Sequence, residues 1–129
     1  MSESNNLQAR NWAIFCHLSA LVVWVGVPFG NILIPLLIWL IKKDEIPLVN
    51  QEGKESLNFQ ISVSIYALAI TAIGVAAFLA RMPETTSLWL MALVLIALAV
   101  TQIVLVIIAA FKASSGERFM YPLAIRFIK

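Results

Sequence analysis

The sequence predicts an all-α integral membrane protein: a short broken helical hairpin, two full transmembrane helices, and a cytoplasmic amphipathic segment and tail. Three observations predict it. First, hydrophobic residues make up 61% of the chain and charged ones 12%, against about 45–50% and 25% in soluble domains. A soluble fold of only 129 residues has too much surface to hide that apolar fraction. Second, the apolar residues fall into three blocks, 11–41, 59–80 and 88–111, separated by polar stretches. Third, Lys42, Lys43, Lys54, Lys112, Arg118, Arg126 and Lys129 lie on one side of the last two blocks, and Arg81 alone on the other. The positive-inside rule then puts 42–58 and 112–129 in the cytoplasm. The whole chain reads as one multi-pass domain of the cell inner membrane.

Residues 1–10, "MSESNNLQAR", are polar and mixed in charge. They lack the compact apolar core and cleavage site of a secretory signal, so the first apolar block is expected to stay in the mature protein. That block, 11–41, contains no Asp, Glu, Lys or Arg. As one helix it would extend about 46 Å, well beyond the ~30 Å hydrocarbon slab. "PFGN", residues 28–31, interrupts it. Pro28 disfavours helix at Val27, Gly30 permits a left-handed turn, and Asn31 can cap a new helix. Stop, turn and start in that order predict a short re-entrant hairpin with arms 12–25 and 32–41, about 21 and 15 Å long. The N-terminus is then cytoplasmic, with Trp12 and Trp39 at the same interface. The opposing reading is one long, tilted, broken span with the N-terminus outside. Pro35 weakens a regular second arm.

Residues 42–58 form the cytoplasmic loop and the start of a helix that runs on into the span 59–80. Gln51, Glu55, Asn58 and Ser62 are spaced by four, three and four, which places them on one helical face. Gln60, Ser64 and Thr71 form a second, less regular line. One reading is the wet end of a helix emerging into water. The other is a polar cavity or a set of bonds to neighbouring helices. Both turn this face inward. Residues 81–87 are a short external loop, in which Pro83 ends one helix and Thr85, Thr86 or Ser87 caps the next, so 59–80 and 88–111 form an antiparallel pair. Ala67, Thr71, Gly74 and Ala77 mark a close helix contact. Gln102, deep in the last span, needs a partner, for which Thr71 or Ser64 is in reach. In the tail 112–129, Phe119, Tyr121, Leu123, Ile125 and Phe127 alternate with other residues, predicting an extended segment that folds back along the membrane face or onto 42–58. It packs on the membrane or docks a partner.

The residues that carry chemistry are few. His17 is the only imidazole and Cys16 the only thiol. Adjacent on a helix, they point about 100° apart, which does not suit a shared metal. A structural His17, bonded to a group such as Asn58, is expected, with a titratable switch as the alternative. There is no GxSxG elbow, no HExxH and no glycine-rich phosphate loop, so no enzyme, metal or cofactor is expected. A net charge of +2 without a basic face gives no footprint for nucleic acid.

The stretches "CHLSALVVWVGVPFGNILIPLLIWLIKKDE", "NQEGKESLNFQIS" and "YPLAIRFIK" together resemble small bacterial membrane proteins grouped only as a domain of unknown function. That group is related to the twenty-kilodalton subunit of the chloroplast inner-envelope protein import machinery. The resemblance runs from Trp12 to Lys129, with Pro28, Gly30, Asn31, Gly53, Lys54, Asn58, Phe59 and Gln60 matching its pattern. It implies a compact multi-helix membrane protein and no settled activity.

The expected function is a non-enzymatic accessory or scaffold in a membrane complex, partnered by the lipid bilayer and by other membrane proteins or a second copy. The alternative is a conduit for ions, small solutes or peptide segments along the polar face. His17, Pro28, Gly30, Asn31, Glu55, Asn58, Gln60, Ser62 and Gln102 are the candidate determinants.

Overall fold

The computed structural model describes residues 2–81 and 84–129, and these are helical apart from turns and the tail. Helix α1, Glu3–Leu18, passes into a 3₁₀ stretch, Ser19–Val25; helix α2 is Gly30–Lys42, α3 is Pro47–Leu79 and α4 is Glu84–Ser114. Helix α1 starts inside the polar N-terminal segment, and the expected first arm is not one α-helix but changes winding at Ser19. Such 3₁₀ runs are normally three or four residues long; this one of seven residues holds three valines, Val22, Val23 and Val25, stiff at χ1.

The chain reverses between Val25 and Gly30, but not by the predicted chemistry. The left-handed residues are Gly26, at φ 94°, and Phe29, at φ 57°. Phe29 occupies the N-cap of α2, and no side chain caps it. Gly30 serves close approach instead: a Cβ there would run into Val22 Cγ1 and crowd Val27. Asn31 is likewise not a cap but points to α3. Helix α2 continues through Pro35, which sits buried in its second turn.

That reversal brings the two ends of the hairpin together. Lys42 Nζ lies 5.4 Å from the centroid of the Trp12 ring, and Lys43 Nζ 4.7 Å from that of Trp39. Both tryptophans are thus at the lysine end. Trp39 Nε1 also donates to Asn50 Oδ1 at 3.0 Å, while Asn31 at the other end of α2 reaches Ser64, so α2 runs antiparallel to α3. Contact is tight at Gly53, where an added Cβ would sit 2.6 Å from Trp39 Cδ1.

Helix α3 opens with Pro47 at its first position, where the missing donor costs nothing, and runs for about 50 Å. It ends at Leu79, followed by Arg81 with φ 56°. The expected stop at Pro83 lies outside the described residues. Helix α4 is already helical at Glu84, so Thr85, Thr86 and Ser87 lie within it rather than capping it. A Cβ at Gly74 would run into Met91 Sδ, which sets how closely α3 and α4 approach.

Burial divides the molecule lengthwise. In α3 the buried residues run from Val49 to Val63, with only Gly74 beyond. They meet α1, α2, the second half of α4 and the tail in a core containing Phe59, Val63, Val106, Ala109 and Tyr121. Past that core the two helices continue alone, with Leu68, Ile73, Leu79, Trp89, Leu93 and Ile96 at least 60% exposed. Both α3 and α4 are long and apolar enough to cross a membrane, and only 11% of each apolar window is buried. A soluble core helix of that hydropathy would be mostly covered.

Substitutions at two glycines test this packing by thermal melting in detergent. Gly53→Ala is expected to cost about 1–3 kcal/mol by overpacking against Trp39. At Gly26 nothing lies within 4 Å of an added Cβ, and only the left-handed φ of 94° opposes a side chain, so Gly26→Ala is expected to cost about 1 kcal/mol and Gly26→Asn less.

Candidate functional site

The polar side chains of α3 gather into a tail-binding line and two buried nodes. The line is Glu55, Asn58, Ser62 and Tyr66, spaced by three and four so that all share one face. Each reaches a main-chain group of the C-terminal tail. Glu55 Oε2 accepts the Tyr121 N–H at 3.3 Å, and Tyr66 Oη donates to the Leu123 carbonyl at 3.0 Å. Ser62 Oγ accepts the Ile125 N–H at 2.8 Å. Asn58 binds both sides of Ile128, accepting its N–H at 2.8 Å and donating to its carbonyl at 2.9 Å. Beside them, Lys54 Nζ donates to the Lys129 carbonyl oxygen at 3.0 Å. The tail therefore dips to the level of Tyr66, turns at Pro122–Leu123, and returns along α3 to Lys54.

The tail meets the end of 42–58 at Lys54, Glu55 and Asn58 and runs on along α3 to Tyr66. The expectation of one alternating apolar edge needs a correction at Tyr121, which is 1% exposed while Leu123, Ile125 and Phe127 are about half exposed. Its ring stacks on Phe59 with centroids 4.1 Å apart and planes 10° from parallel, and meets the edge of Phe119. Arg126 adds a pair to Glu55 at 3.3 Å. The line that motivated a conduit is filled: Asn58 and Ser62 are buried beneath the tail.

The first buried node surrounds His17. Its Nε2 lies 3.0 Å from Glu52 Oε2, and its Nδ1 3.0 Å from Tyr121 Oη; all three residues are closed to solvent. Ser56 Oγ donates to the Cys16 carbonyl at 2.8 Å, pinning α1 to α3 one residue away. Asn58, the partner expected for His17, is occupied by the tail. Burial, and then the charges of Glu52 and Glu55, push the Tyr121 phenol well above its ordinary pKa of 10.0. It therefore stays protonated.

The second node joins three helices through carboxamides. Gln60 Oε1 accepts from Gln102 Nε2 at 2.6 Å and from Asn31 Nδ2 at 3.4 Å. Asn31 Nδ2 also lies 3.3 Å from Ser64 Oγ, which donates to the Gln60 carbonyl. Gln102 thus pairs with Gln60, not with Thr71 or Ser64; Thr71 bonds back to Ala67 in its own helix. Among the described residues, two buried side-chain polar atoms have no hydrogen-bond partner, Glu52 Oε1 and Gln60 Nε2.

Of the sequence candidates, Glu55, Asn58 and Ser62 meet at the tail, and Asn31, Gln60 and Gln102 meet at the second node. His17 joins Glu52 and the tail's Tyr121 in the first node, and Pro28 and Gly30 lie at the turn. Glu52 and Tyr121 escaped sequence reasoning as determinants. Glu52 sits in register with Val49, Ser56, Phe59 and Val63, the stripe that faces the core, and that register was its one available signal. Among the described residues no three of His, Cys, Asp and Glu converge as a metal site.

Fold and site together define an all-helical membrane protein whose polar groups bind its own backbone and helices together. The chain belongs to the magnetosome magnetite crystal formation protein family, MamF/MmsF, whose pattern matches residues 8–128. That family bears out a small bacterial membrane protein but not the expected relationship to the chloroplast import subunit. No curated protein and no solved structure matches the chain.

Two substitutions separate the line from the second node. Asn58→Ala is expected to free the last residues of the tail, read as carboxypeptidase trimming at least tenfold faster, since two buried hydrogen bonds of about 1 kcal/mol each are lost. Gln60→Leu removes the acceptor of Gln102 and one of the two acceptors of Asn31 and is expected to cost about 1–3 kcal/mol in a melting experiment. Replacing all three amides by Leu should restore much of that loss.

Proposed function

We propose that this protein is a non-enzymatic accessory or scaffold component of a membrane complex. Family membership supports a place for it in the formation of the magnetosome's magnetite crystal, exercised from within the membrane. The observation that carries this reading is the division of the molecule. Polar groups of the buried half are spent on holding α1, α2, α3, α4 and the tail together. The far halves of α3 and α4 expose apolar faces to lipid or to a neighbouring protein.

In this reading α3 and α4 cross the inner membrane, and the hairpin of α1 and α2 enters it from the cytoplasmic side. Its turn lies beside α3, where Phe29 and Ile32 share an open groove with Ser64, Leu68 and Thr71, and Val25 and Phe29 stay exposed to lipid or a neighbour. Lys42 and Lys43 beside Trp12 and Trp39 suit an inner interface. The C-terminus and the N-terminus are both cytoplasmic.

Labelling of Asn5→Cys with an impermeant thiol reagent is expected only after the cytoplasmic side is opened; labelling from outside in intact cells would refute the hairpin topology. Gentle detergent extraction of the tagged protein from its native membrane is expected to yield a larger assembly. Recovery of a lone monomer at every detergent concentration would refute the scaffold role.

A further inference from the structure

We infer that the molecule is a membrane wedge, wide in the cytoplasmic leaflet and narrow in the other, and that it concentrates in bilayer bent convex towards the cytoplasm. The inference rests on the topology given above, in which α3 and α4 cross the membrane and the hairpin of α1 and α2 enters from the cytoplasmic side.

The wide part ends where the hairpin turns. Helix α2 has 13 residues, about 20 Å of rise. It lies along α3 from Asn50, bonded to Trp39, to Ser64, bonded to Asn31. Beyond Ser64, α3 continues to Leu79, about 22 Å further. The two lengths together match the ~40–45 Å of a bilayer with its headgroups, so the step at the turn falls close to the midplane. On the cytoplasmic side of the step stand α1 with its 3₁₀ stretch, α2, α3, α4 and the tail. On the far side stand α3 and α4 alone. Each helix is about 10 Å across and takes roughly 100 Å² of the membrane plane. The hairpin thus adds on the order of 200 Å² to one leaflet, again from helix width, and the tail adds more.

The outer face of the hairpin is built for acyl chains. Phe29, Leu33, Leu37 and Leu40 are spaced by four, four and three, which sets them on one face, and each is between 47% and 72% exposed. Asn31, Pro35 and Trp39 turn the other way, into the protein. The apolar stripe stops at Lys42 and Lys43, which lie over Trp12 and Trp39. A basic and aromatic edge of this kind meets anionic headgroups, so charge and hydropathy along α2 commit its face to the lipid of a single leaflet. On the tail, Leu123, Ile125 and Phe127 are about half exposed beside the same stretch of α3. Past the turn the profile is undercut: Phe29 and Ile32 stand over an open groove of about 520 Å³ along Ile61, Leu68 and Thr71.

The sign of the bend follows from which leaflet is crowded. Insertion confined to one leaflet is favoured where that leaflet is stretched, on the convex side of a curved bilayer. Here the crowded leaflet carries the Lys–Trp edge and the N-terminus.

The test uses the full chain with a fluorophore at Asn5→Cys, Cys16 being buried. It is reconstituted into giant vesicles of phosphatidylethanolamine and phosphatidylglycerol, from which narrow membrane tubes are pulled. An impermeant quencher outside separates copies with the wide end outward, which are quenched, from those with it inward. Outward copies are expected to be about twofold denser in the tube than in the parent vesicle, a bias of ~0.4 kcal/mol, and inward copies to be depleted. Equal densities for both populations, as a second copy filling the space under the turn would produce, would overturn the inference, and so would enrichment of the inward copies. A fluorophore at Val25→Cys, a position 79% exposed, checks the topology separately through quenching by lipids brominated on their acyl chains. Quenching there without a tube preference overturns the wedge alone; no quenching there overturns the hairpin topology together with it.

Discussion

A peptide group buried away from water must find its hydrogen-bond partner inside the protein, and a backbone that leaves a helix loses the partner the helix would have supplied. Most of this chain avoids the problem by being helical. The tail does not: its residues from Phe119 on are extended or turning, yet they lie against the stretch of α3 between Lys54 and Tyr66. Glu55, Asn58, Ser62 and Tyr66 answer that need one main-chain group at a time. The polar face of α3 exists because the tail has no regular structure of its own.

The same constraint explains the second node. A turn between α2 and the preceding 3₁₀ stretch, closed by the left-handed Gly26 and Phe29, must be held against α3 if it is to sit at depth. Asn31 supplies the hold through Gln60 and Ser64, and Gln102 completes it from α4. Amides paired across three helices fix register, because sliding one helix by a residue breaks the pairs. Apolar packing at Gly53 and Gly74 sets how close the helices come, and the amides set where along their length they meet.

The coarse architecture was legible in the sequence because it rests on composition and length. Blocks 59–80 and 88–111 could hardly be other than long apolar helices, and the reversal near "PFGN" was announced by proline and glycine. The details depended on tertiary contact and were not legible. Gly30 looked like a turn glycine, yet its role is to make room for Val22. Asn31 looked like a cap, yet its amide had better partners across the helix interface. Gln51, Glu55, Asn58 and Ser62 were readable as one face, but not what it would meet: Gln51 stays exposed, and the tail that meets the other three lies far away in the chain. Glu52 was the hardest: a glutamate among "NQEGKE" reads as solvated, and only the core register of its neighbours argues otherwise.

The way α3 holds the tail also decides what is encoded where. Asn58 and Ser62 grip peptide groups and leave the side chains of Leu123, Ile125 and Phe127 half exposed. The course of the last residues is therefore written in a helix some 70 positions upstream, and only Tyr121 adds a deeply buried anchor of its own. Such a tail tolerates exchange of one apolar residue for another along its outer edge. It tolerates poorly a proline at Ile125 or Ile128, which would remove a gripped N–H while leaving hydropathy almost untouched.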